Sequence, residues 1–205
     1  MPDPTLEREH ALWAKGFRFV AGLDEVGRGP LAGPVIAAAV VFARDQGPIE
    51  GLRDSKQMTA LQRERVAAVV RDTAAGWAVG AASVREIDRL NILRATTLAM
   101  RRALSRLAMR PDHVLVDGRP VVDLSWEHDA IVDGDVLCQS IAGASVLAKC
   151  LRDRLMILLS RRYPAFHWDT NKGYGTAEHL AALDESGPTP HHRRSFAPVV
   201  QPRLL

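Results

Sequence analysis

The sequence predicts an α/β domain in which a mixed five-stranded sheet is flanked by helices, with a helical extension at the C-terminus. Three apolar, strand-like segments come first, and strand-like segments then alternate with segments of helical periodicity. The chain has 205 residues, of which 47% are hydrophobic and 25% charged, and this suits one well-packed domain. We expect the core at residues 17–150 and the extension, packed on that core, at residues 151–205.

The first three strands are predicted from apolar runs bounded by glycine and proline. Gly and Pro in the segment GRGPLAGP separate the first two strands, and a segment with helical periodicity precedes the third. The predicted strands are 17–24 (FRFVAGLD), 35–42 (VIAAAVVF) and 76–84 (GWAVGAASV), and the predicted helix is 59–75 (TALQRERVAAVVRDTAA).

Helical periodicity dominates the second half of the chain. Apolar residues spaced three or four apart from Val84 to Leu107 predict one long helix that ends before Pro111. Two more strands are predicted at 113–117 (HVLVD) and around 130–132, and two more helices at about 139–161 and 177–184.

Membrane and exported proteins are disfavoured by the sequence. No apolar run approaches the length of a membrane span, and the N-terminal segment MPDPTLEREHALWAKGF does not have the pattern of a signal peptide. The two cysteines, Cys138 and Cys150, are too few for a disulfide framework and lack the CxxC spacing of metal sites. We therefore expect buried thiols in a cytoplasmic protein, and we expect a monomer.

The positive charge of the chain is concentrated near its C-terminus. Residues 151–205 contain 8 Lys and Arg against 5 Asp and Glu, whereas the preceding residues are balanced at 19 against 19. Such an asymmetry favours contact with a polyanion such as nucleic acid. The alternative is that these arginines only keep a helical tail soluble.

Four carboxylates are predicted to lie at the ends of strands. Asp24, Asp117 and Asp135 each follow an apolar run, and Glu25 is adjacent to the first of them. Ligand sites of open α/β sheets form at strand ends, although each acid alone could be a turn residue. Because crowded carboxylates repel one another, a cluster needs protons or cations. An all-oxygen set favours Mg²⁺ or Mn²⁺.

Asp24 and Glu25 present a geometric problem, since neighbours on a regular strand point to opposite faces. Both side chains reach one site only if the regular strand ends there. Gly27 and Gly29 are expected to end it, because glycine permits bends and close approach of the backbone.

Seven sequence blocks together resemble ribonuclease HII, over roughly residues 18–198. The fold implied is ribonuclease H-like. We expect no N-terminal substrate-binding extension of the ribonuclease HIII type, since only about sixteen residues precede the first predicted strand. The blocks are GLDEVGRGPLAGPV (22–35), DSK (54–56), EIDRLNILRATTLAM (86–100), VDG (116–118), ASVLAKCLRD (144–153), NKGYGT (171–176) and HHRRSF (191–196).

The resemblance implies an endonuclease that cuts the RNA strand of RNA-DNA hybrids and nicks 5′ of single ribonucleotides embedded in duplex DNA. Its products would carry 5′-phosphate and 3′-hydroxyl ends. The four acids of the family correspond to Asp24, Glu25, Asp117 and Asp135, which would hold two divalent ions, Mn²⁺ or Mg²⁺, on either side of the scissile phosphate.

The resemblance also implies contacts with the substrate. The backbone of Gly27, Arg28 and Gly29 would lie against the ribonucleotide and read its 2′-hydroxyl. Tyr174 would pack against the sugar on the deoxy side of the junction. The candidate phosphate contacts are Lys56, Ser145, Lys149, Lys172, Arg193 and Arg194, for which a solvated charge or a capping hydroxyl is the alternative role.

The sequence departs from the common pattern of this family at two positions. Asp133 stands where many members have a lysine, and Asn171 where many have a histidine. If residues 133–135 were extended, Asp133 and Asp135 would lie on the same side of the chain.

Two other functions stay open on the sequence alone. Other two-metal nucleases of the same fold, such as resolvases, also gather acids at strand ends. A non-catalytic protein that binds hybrid duplexes through its basic tail is the second alternative.

Overall fold

A computed structural model describes residues 3–199, which form one five-stranded mixed sheet with helices on both faces. The strand order is β3-β2-β1-β4-β5. β1 is antiparallel to β2, β2 is antiparallel to β3, and β4 runs parallel to both β1 and β5. The predicted fold class is confirmed, and residues 200–205 of the predicted extension lie outside the described part. The strands are β1 (Val20–Val26), β2 (Val35–Val41), β3 (Gly76–Ala82), β4 (His113–Asp117) and β5 (His128–Ile131).

Eight α-helices and two 3₁₀ turns are found between residues 3 and 199. The turns are Ser55–Gln57 and Pro164–Phe166. The helices are α1 (Glu7–Ala14), α2 (Ala60–Thr73), α3 (Val84–Leu90), α4 (Ile92–Ser105), α5 (Gly134–Leu137), α6 (Gln139–Arg162), α7 (Trp168–Asn171) and α8 (Ala177–Ser186). The four helices predicted from the sequence correspond to α2, to α3 and α4 together, to α6 and to α8. Helices α1, α5 and α7 were not predicted.

The alternation of side chains along β1 separates two hydrophobic cores. Val20 belongs to the core under α1, α2 and α6, whereas Ala21 and Leu23 belong to the core under α3 and α4. A third, smaller core around Trp168 joins the end of α6 to α7 and α8. The sheet is therefore covered on both faces, which explains why β2 is buried along its whole length.

The long helix predicted from Val84 onward is broken at Asn91. This residue has a φ of 71°, so the helical hydrogen-bond pattern cannot continue through it. Its side chain accepts hydrogen bonds from the backbone N–H groups of Leu93 and Arg94, and it thereby caps α4. The apolar period continues across the break because both helices pack on the same core.

Both cysteines are buried and unpaired, as predicted. Burial raises the pKa of Cys138 to about 12 and that of Cys150 to about 11. No helix in the described part of the chain has the length and apolarity needed to cross a bilayer. The cytoplasmic location and the monomeric state stay predictions.

The N-terminal helix α1 supplies a cap for α6. The first residues of α6 have no cap from their own segment, because the side chain of Cys138 makes no capping hydrogen bond. Instead, Oε1 of the fully buried Glu9 accepts hydrogen bonds from the backbone N–H of Ser140 at 2.9 Å and from its hydroxyl at 2.5 Å. The sequence gives no local signal for this contact, since the two residues lie 131 positions apart.

Glu9→Ala is therefore expected to destabilise the protein by about 1–3 kcal/mol, through the loss of a cap and of two buried hydrogen bonds. Glu7→Ala is the matched control, since Glu7 is an exposed acid in the first turn of the same helix. Glu7→Ala should lower the free energy of unfolding by less than about 1 kcal/mol. Urea unfolding measures both, and equal losses would show that Glu9 does not cap α6.

Candidate active site

Asp24 lies on the face of β1 that packs against α6, and its side chain is almost fully buried. Only 6% of the residue is exposed, and Oδ1 accepts a hydrogen bond from the backbone N–H of Glu25 at 2.6 Å. Burial raises the pKa of Asp24 well above its usual value, and the charges of Glu25 and Asp117 raise it further. The hydroxyl of Ser145 opposes this shift by hydrogen bonding. Asp24 is thus a carboxylate whose negative charge is strongly disfavoured without a nearby cation.

A glycine in β1 allows α6 to approach Asp24. A Cβ atom on Gly22 would lie 2.2 Å from the carbonyl carbon of Ser140, so no other residue fits there without moving the helix. From this contact, five residues along α6 advance about 7.5 Å. Two residues along β1 advance about 6.6 Å. The close packing at Gly22 therefore brings Ser145 level with Asp24.

Asp117 is the last residue of β4, and it lies beside Asp24 on the neighbouring strand. The parallel register pairs Leu23 with Val116, so the residues that follow them point to the same face of the sheet. Oδ1 of Asp117 accepts a hydrogen bond from the backbone N–H of Gly134 at 2.8 Å. Burial raises the pKa of Asp117, and the charge of Asp135 adds to this effect.

Asp135 was expected at the end of a strand, and that prediction was wrong. β5 ends at Ile131, and Asp135 lies in the first turn of α5, where it is buried. Its Oδ2 atom lies 3.2 Å from Nζ of Lys56. Burial tends to lower the pKa of Lys56, but the carboxylates of Asp135, Asp54 and Asp24 raise it overall.

The segment around Asp133 is not extended, so it does not place Asp133 and Asp135 on one side in the manner of a strand. Asp133 has left-handed backbone angles, with φ 56° and ψ 35°, and it precedes the first turn of α5. Its side chain is exposed. Its effect on substrate binding stays open.

Glu25 lies on the opposite face of β1 from Asp24, because the regular strand extends two residues beyond its predicted end at Asp24. β1 continues through Val26 in regular antiparallel register with β2. Glu25 forms an ion pair of 3.0 Å with Arg28, which lies just beyond the strand. Burial raises the pKa of Glu25, Arg28 lowers it, and the charge of Asp117 raises it. Glu25 therefore interacts electrostatically with the other acids without sharing their face of the sheet.

The four acids match a hard divalent cation in chemistry, since all of their donor atoms are carboxylate oxygens. In residues 3–199, however, no group of three or more His, Cys, Asp or Glu side chains is gathered closely enough to hold a metal ion. Glu25 lies on the other face of β1 and forms an ion pair with Arg28, and Asp135 forms an ion pair with Lys56. These cations offset part of the repulsion between the acids.

The loop after β1 lies next to the acids and presents its backbone at the surface. Arg28 and Gly29 are exposed, whereas Gly27 is buried. A Cβ atom on Gly29 would lie 3.4 Å from Cε1 of Tyr174, whose side chain is also exposed. The GRG segment and Tyr174 therefore form one continuous surface beside the carboxylates.

Asn171 shapes the turn that carries Tyr174. Its amide nitrogen donates to the carbonyl of Phe166 at 2.7 Å, and its Oδ1 accepts from the N–H of Gly173 at 2.8 Å. Both ends of this side chain are thus used within the turn.

The predicted phosphate contacts separate into exposed and buried groups. Lys56 and Arg194 are exposed, and Lys149 and Lys172 are partly exposed. Lys149 also forms an ion pair of 2.8 Å with Asp153. These four side chains can still reach a phosphate, whereas Ser145 and Arg193 are buried.

The prediction that Arg193 contacts a phosphate was wrong. Arg193 is fully buried, and its guanidinium donates to the carbonyl groups of Arg28 and Gly33, so it supports the loop after β1 and has no surface to offer a phosphate. Ser145 is likewise occupied with Asp24 and with the hydroxyl of Ser55, at 3.1 Å. Arg152 also supports this loop, and the sequence analysis did not identify it. The available signal was a charged residue on the largely apolar buried face of α6.

Comparisons with known proteins identify relatives of this chain by sequence and by fold. The family model described as Ribonuclease HII matches residues 21–199. The chain is 56% identical to the ribonuclease HII of Cereibacter sphaeroides over 197 residues, which cover 96% of this chain and 92% of that protein. The residues matched by the family model include the positions of all four acids, the GRG segment and Tyr174.

Solved structures with the same fold include two ribonucleases H. The ribonuclease H2 of Pyrococcus horikoshii OT3 matches with a TM-score of 0.74 and 26% identity, over 89% of this chain and 95% of that chain. Bst-RNase HIII, solved in complex with Mn²⁺, matches with a TM-score of 0.68 and 20% identity, over 89% of this chain and 68% of that chain. The second likeness concerns the fold alone.

The buried charge of Asp24 predicts that Asp24→Asn stabilises the metal-free protein in a pH-dependent way. The folded-state pKa of Asp24 is raised above the value near 4 of an unfolded chain, so the folded protein binds more protons between these two pKa values. The stability that protonated Asp24 confers at low pH is consequently lost as the pH rises from the unfolded-state pKa through the folded-state pKa. The free energy of unfolding of Asp24→Asn should equal that of the original protein below about pH 4 and exceed it at pH 8 by at least about 1 kcal/mol.

Urea unfolding in the presence of a chelator, from pH 4 to pH 8, measures this difference. Asp72→Asn is the matched control, because Asp72 is exposed on α2 and its substitution removes a carboxylate that is not buried. A difference between the original protein and Asp24→Asn that does not change with pH would show that the Asp24 charge is not penalised.

Proposed function

The chain belongs to the ribonuclease HII family and is a ribonuclease H endonuclease, and on this premise we propose that it nicks duplex DNA 5′ of a single embedded ribonucleotide as well as cutting RNA-DNA hybrids. The observation that carries the proposal is the position of the buried Asp24 and the half-buried Asp117 beside the exposed GRG loop and Tyr174. The acids supply the site of hydrolysis, and the loop supplies a surface that can distinguish ribose from deoxyribose. The products would carry 5′-phosphate and 3′-hydroxyl ends.

Asp24, Glu25, Asp117 and Asp135 would hold two divalent ions, Mg²⁺ or Mn²⁺. The Mn²⁺ complex of Bst-RNase HIII, which has the same fold, supports this choice. When bound, such ions supply activation of water and stabilisation of the leaving 3′-oxygen. For Glu25 and Asp135 to act as ligands, Arg28 and Lys56 must release them, and the Glu25 side chain must in addition turn toward the face of β1 that carries Asp24. Both cations are then free to contact phosphates of the duplex.

The GRG loop is suited to recognising the 2′-hydroxyl through its backbone. The N–H groups of Arg28 and Gly29 have no acceptor among the hydrogen bonds of the described residues, and both residues are exposed. Free backbone donors of this kind can bind a ribose hydroxyl, which DNA lacks. The ring of Tyr174, next to Gly29, would pack against the adjoining sugar and hold the scissile phosphate in place.

The basic side chains beside the acids would bind the flanking phosphates. Burial lowers the pKa of Lys172, and the nearby charge of Lys149 also lowers it. With Lys56 and Arg194 they would form the phosphate-binding surface. Contacts of this kind position a duplex without reading its sequence.

The function is tested with an end-labelled DNA duplex that contains one ribonucleotide, incubated with Mg²⁺ or Mn²⁺. We expect one nick, on the 5′ side of the ribonucleotide, and no nick without a divalent ion or in an all-DNA duplex. Cleavage of a four-way DNA junction would favour a resolvase-type nuclease instead. Binding to the ribonucleotide duplex without any nick would favour a non-catalytic hybrid-binding protein.

Asp24→Asn should reduce nicking by at least ~10³-fold, the scale on which the loss of one preorganised electrostatic group slows an enzyme. Binding of the duplex in Ca²⁺ should change little, because no phosphate contact is removed. Asp72→Asn on the exposed face of α2 serves as the control. If Asp24→Asn kept more than a tenth of the original rate at saturating Mg²⁺, Asp24 would be excluded from the mechanism.

Tyr174→Ala should reduce nicking at a single ribonucleotide by ~10²-fold, since a small displacement of the phosphate costs about that much in rate. Tyr174→Phe should recover part of the rate, because the ring that packs against the sugar is kept. Single-turnover kinetics on the ribonucleotide duplex measure both variants. Unchanged rates for both would show that Tyr174 does not position the junction.

A further inference from the structure

Two arginines are fully buried beneath the loop that joins β1 to β2, and neither forms an ion pair within residues 3–199. Arg152 extends from α6, and Arg193 comes from the segment after α8. Burial lowers the pKa of Arg152 to about 10 and that of Arg193 to about 9, and the charge of Arg152 adds to the second shift. A buried cation without a carboxylate partner is costly, so hydrogen bonds must compensate for its lost hydration.

All of the hydrogen bonds of the two guanidinium groups go to backbone carbonyl groups, and nearly all of these belong to the loop. Arg193 donates to the carbonyls of Gly27, Arg28 and Gly33, at 2.8 Å for Arg28 and 3.0 Å for Gly33. Arg152 donates to three further carbonyls. They are those of Ala32 at 3.0 Å, Pro34 at 3.1 Å and Lys172 at 2.9 Å.

Gly27 is required for this packing. It has a φ of 92°, and a Cβ atom on it would lie 2.2 Å from Nε of Arg152. The loop backbone therefore lies directly on the guanidinium groups, with no side chain between them. The turn before Tyr174 is held by the same cation, because Arg152 also donates to Lys172.

The contacts of Arg193 fix the direction of two N–H groups. The carbonyl of one residue and the N–H of the next belong to one planar trans peptide and point in opposite directions. Because the carbonyls of Gly27 and Arg28 point inward to Arg193, the N–H groups of Arg28 and Gly29 point away from it, toward the exposed side of the loop. Neither of these two N–H groups has an acceptor in the described structure.

We propose that Arg193, together with Arg152, is a positioning residue that aims the N–H groups of Arg28 and Gly29 at the 2′-hydroxyl and thereby sets the preference for ribose over deoxyribose. The proposal rests on the proposed function of the same site. Lysine cannot replace Arg193, since one ammonium group cannot hold three carbonyls in the geometry of the planar guanidinium fork. The role thus depends on the shape of the donor as well as on its charge.

The test compares duplex affinities in Ca²⁺ for the original protein and Arg193→Lys. One duplex contains a single ribonucleotide, and the other is the same sequence in DNA alone. We expect Arg193→Lys to lower the ratio of the two affinities at least ~10-fold, equivalent to about 1.4 kcal/mol, while affinity for the all-DNA duplex stays within about twofold. Arg106→Lys is the matched control, because Arg106 also donates to a backbone carbonyl, that of Val79, on a distant strand.

A general loss of structure would weaken both duplexes, so a selective loss of the ribose preference identifies positioning. If Arg193→Lys does not fold, Phe196→Leu decides, since the Phe196 ring lies 5.0 Å from the Arg193 guanidinium and helps to hold it. That variant should lower the ratio at least ~3-fold, on the scale of one cation–π contact. An unchanged ratio in a folded variant overturns the proposal. An original protein without a ribose preference contradicts the proposed function itself.

Discussion

The burial of the Asp24 carboxylate between β1 and α6 is the constraint on which the rest of this structure depends. Burial and the neighbouring acids both disfavour its charge. A fold selected only for stability would place an apolar residue at this position, since replacing buried charged groups with well-packed apolar ones is often neutral or stabilising. The close packing of α6 on Gly22 and the register of β4 both serve to bring groups to Asp24.

The surrounding charges form two groups with different roles. Arg28 and Lys56 are exposed cations that offset the acids directly. Arg152 and Arg193 are buried and bind carbonyls, so they stiffen the loop beside the acids instead of neutralising them. The acids thus lie beside a backbone surface whose donors face outward. Under the proposed function, a phosphodiester carrying a 2′-hydroxyl would complement both parts of this surface.

Much of the fold could be predicted from local patterns, because apolar period and glycine punctuation report directly on strands and helices. β4 has the predicted bounds, and α6 ends within one residue of its prediction. The break at Asn91 was missed because both helices bury the same face, so the apolar period does not change. The assignment of the four acids to one site stays a prediction. The position of Asp135 on α5 depends on how the chain turns after β5, which periodicity does not encode.

The contacts that sequence reasoning missed are those between distant parts of the chain. Glu9 caps α6 from 131 residues away, and Arg193 supports a loop that precedes it by about 160 residues. An arginine in a basic tail was therefore interpreted as a phosphate contact, although tertiary packing buries it. A buried arginine and an exposed one have the same sequence signature.

Unfolding free energy measured against Mn²⁺ concentration tests most directly whether the buried carboxylates are kept for divalent cations. We expect Mn²⁺ to stabilise the original protein, by about 2.7 kcal/mol at a concentration 100 times the dissociation constant. Asp117→Asn should lose most of this stabilisation. An unfolding free energy that does not depend on Mn²⁺, in a protein that is folded and free of other metals, would contradict this expectation.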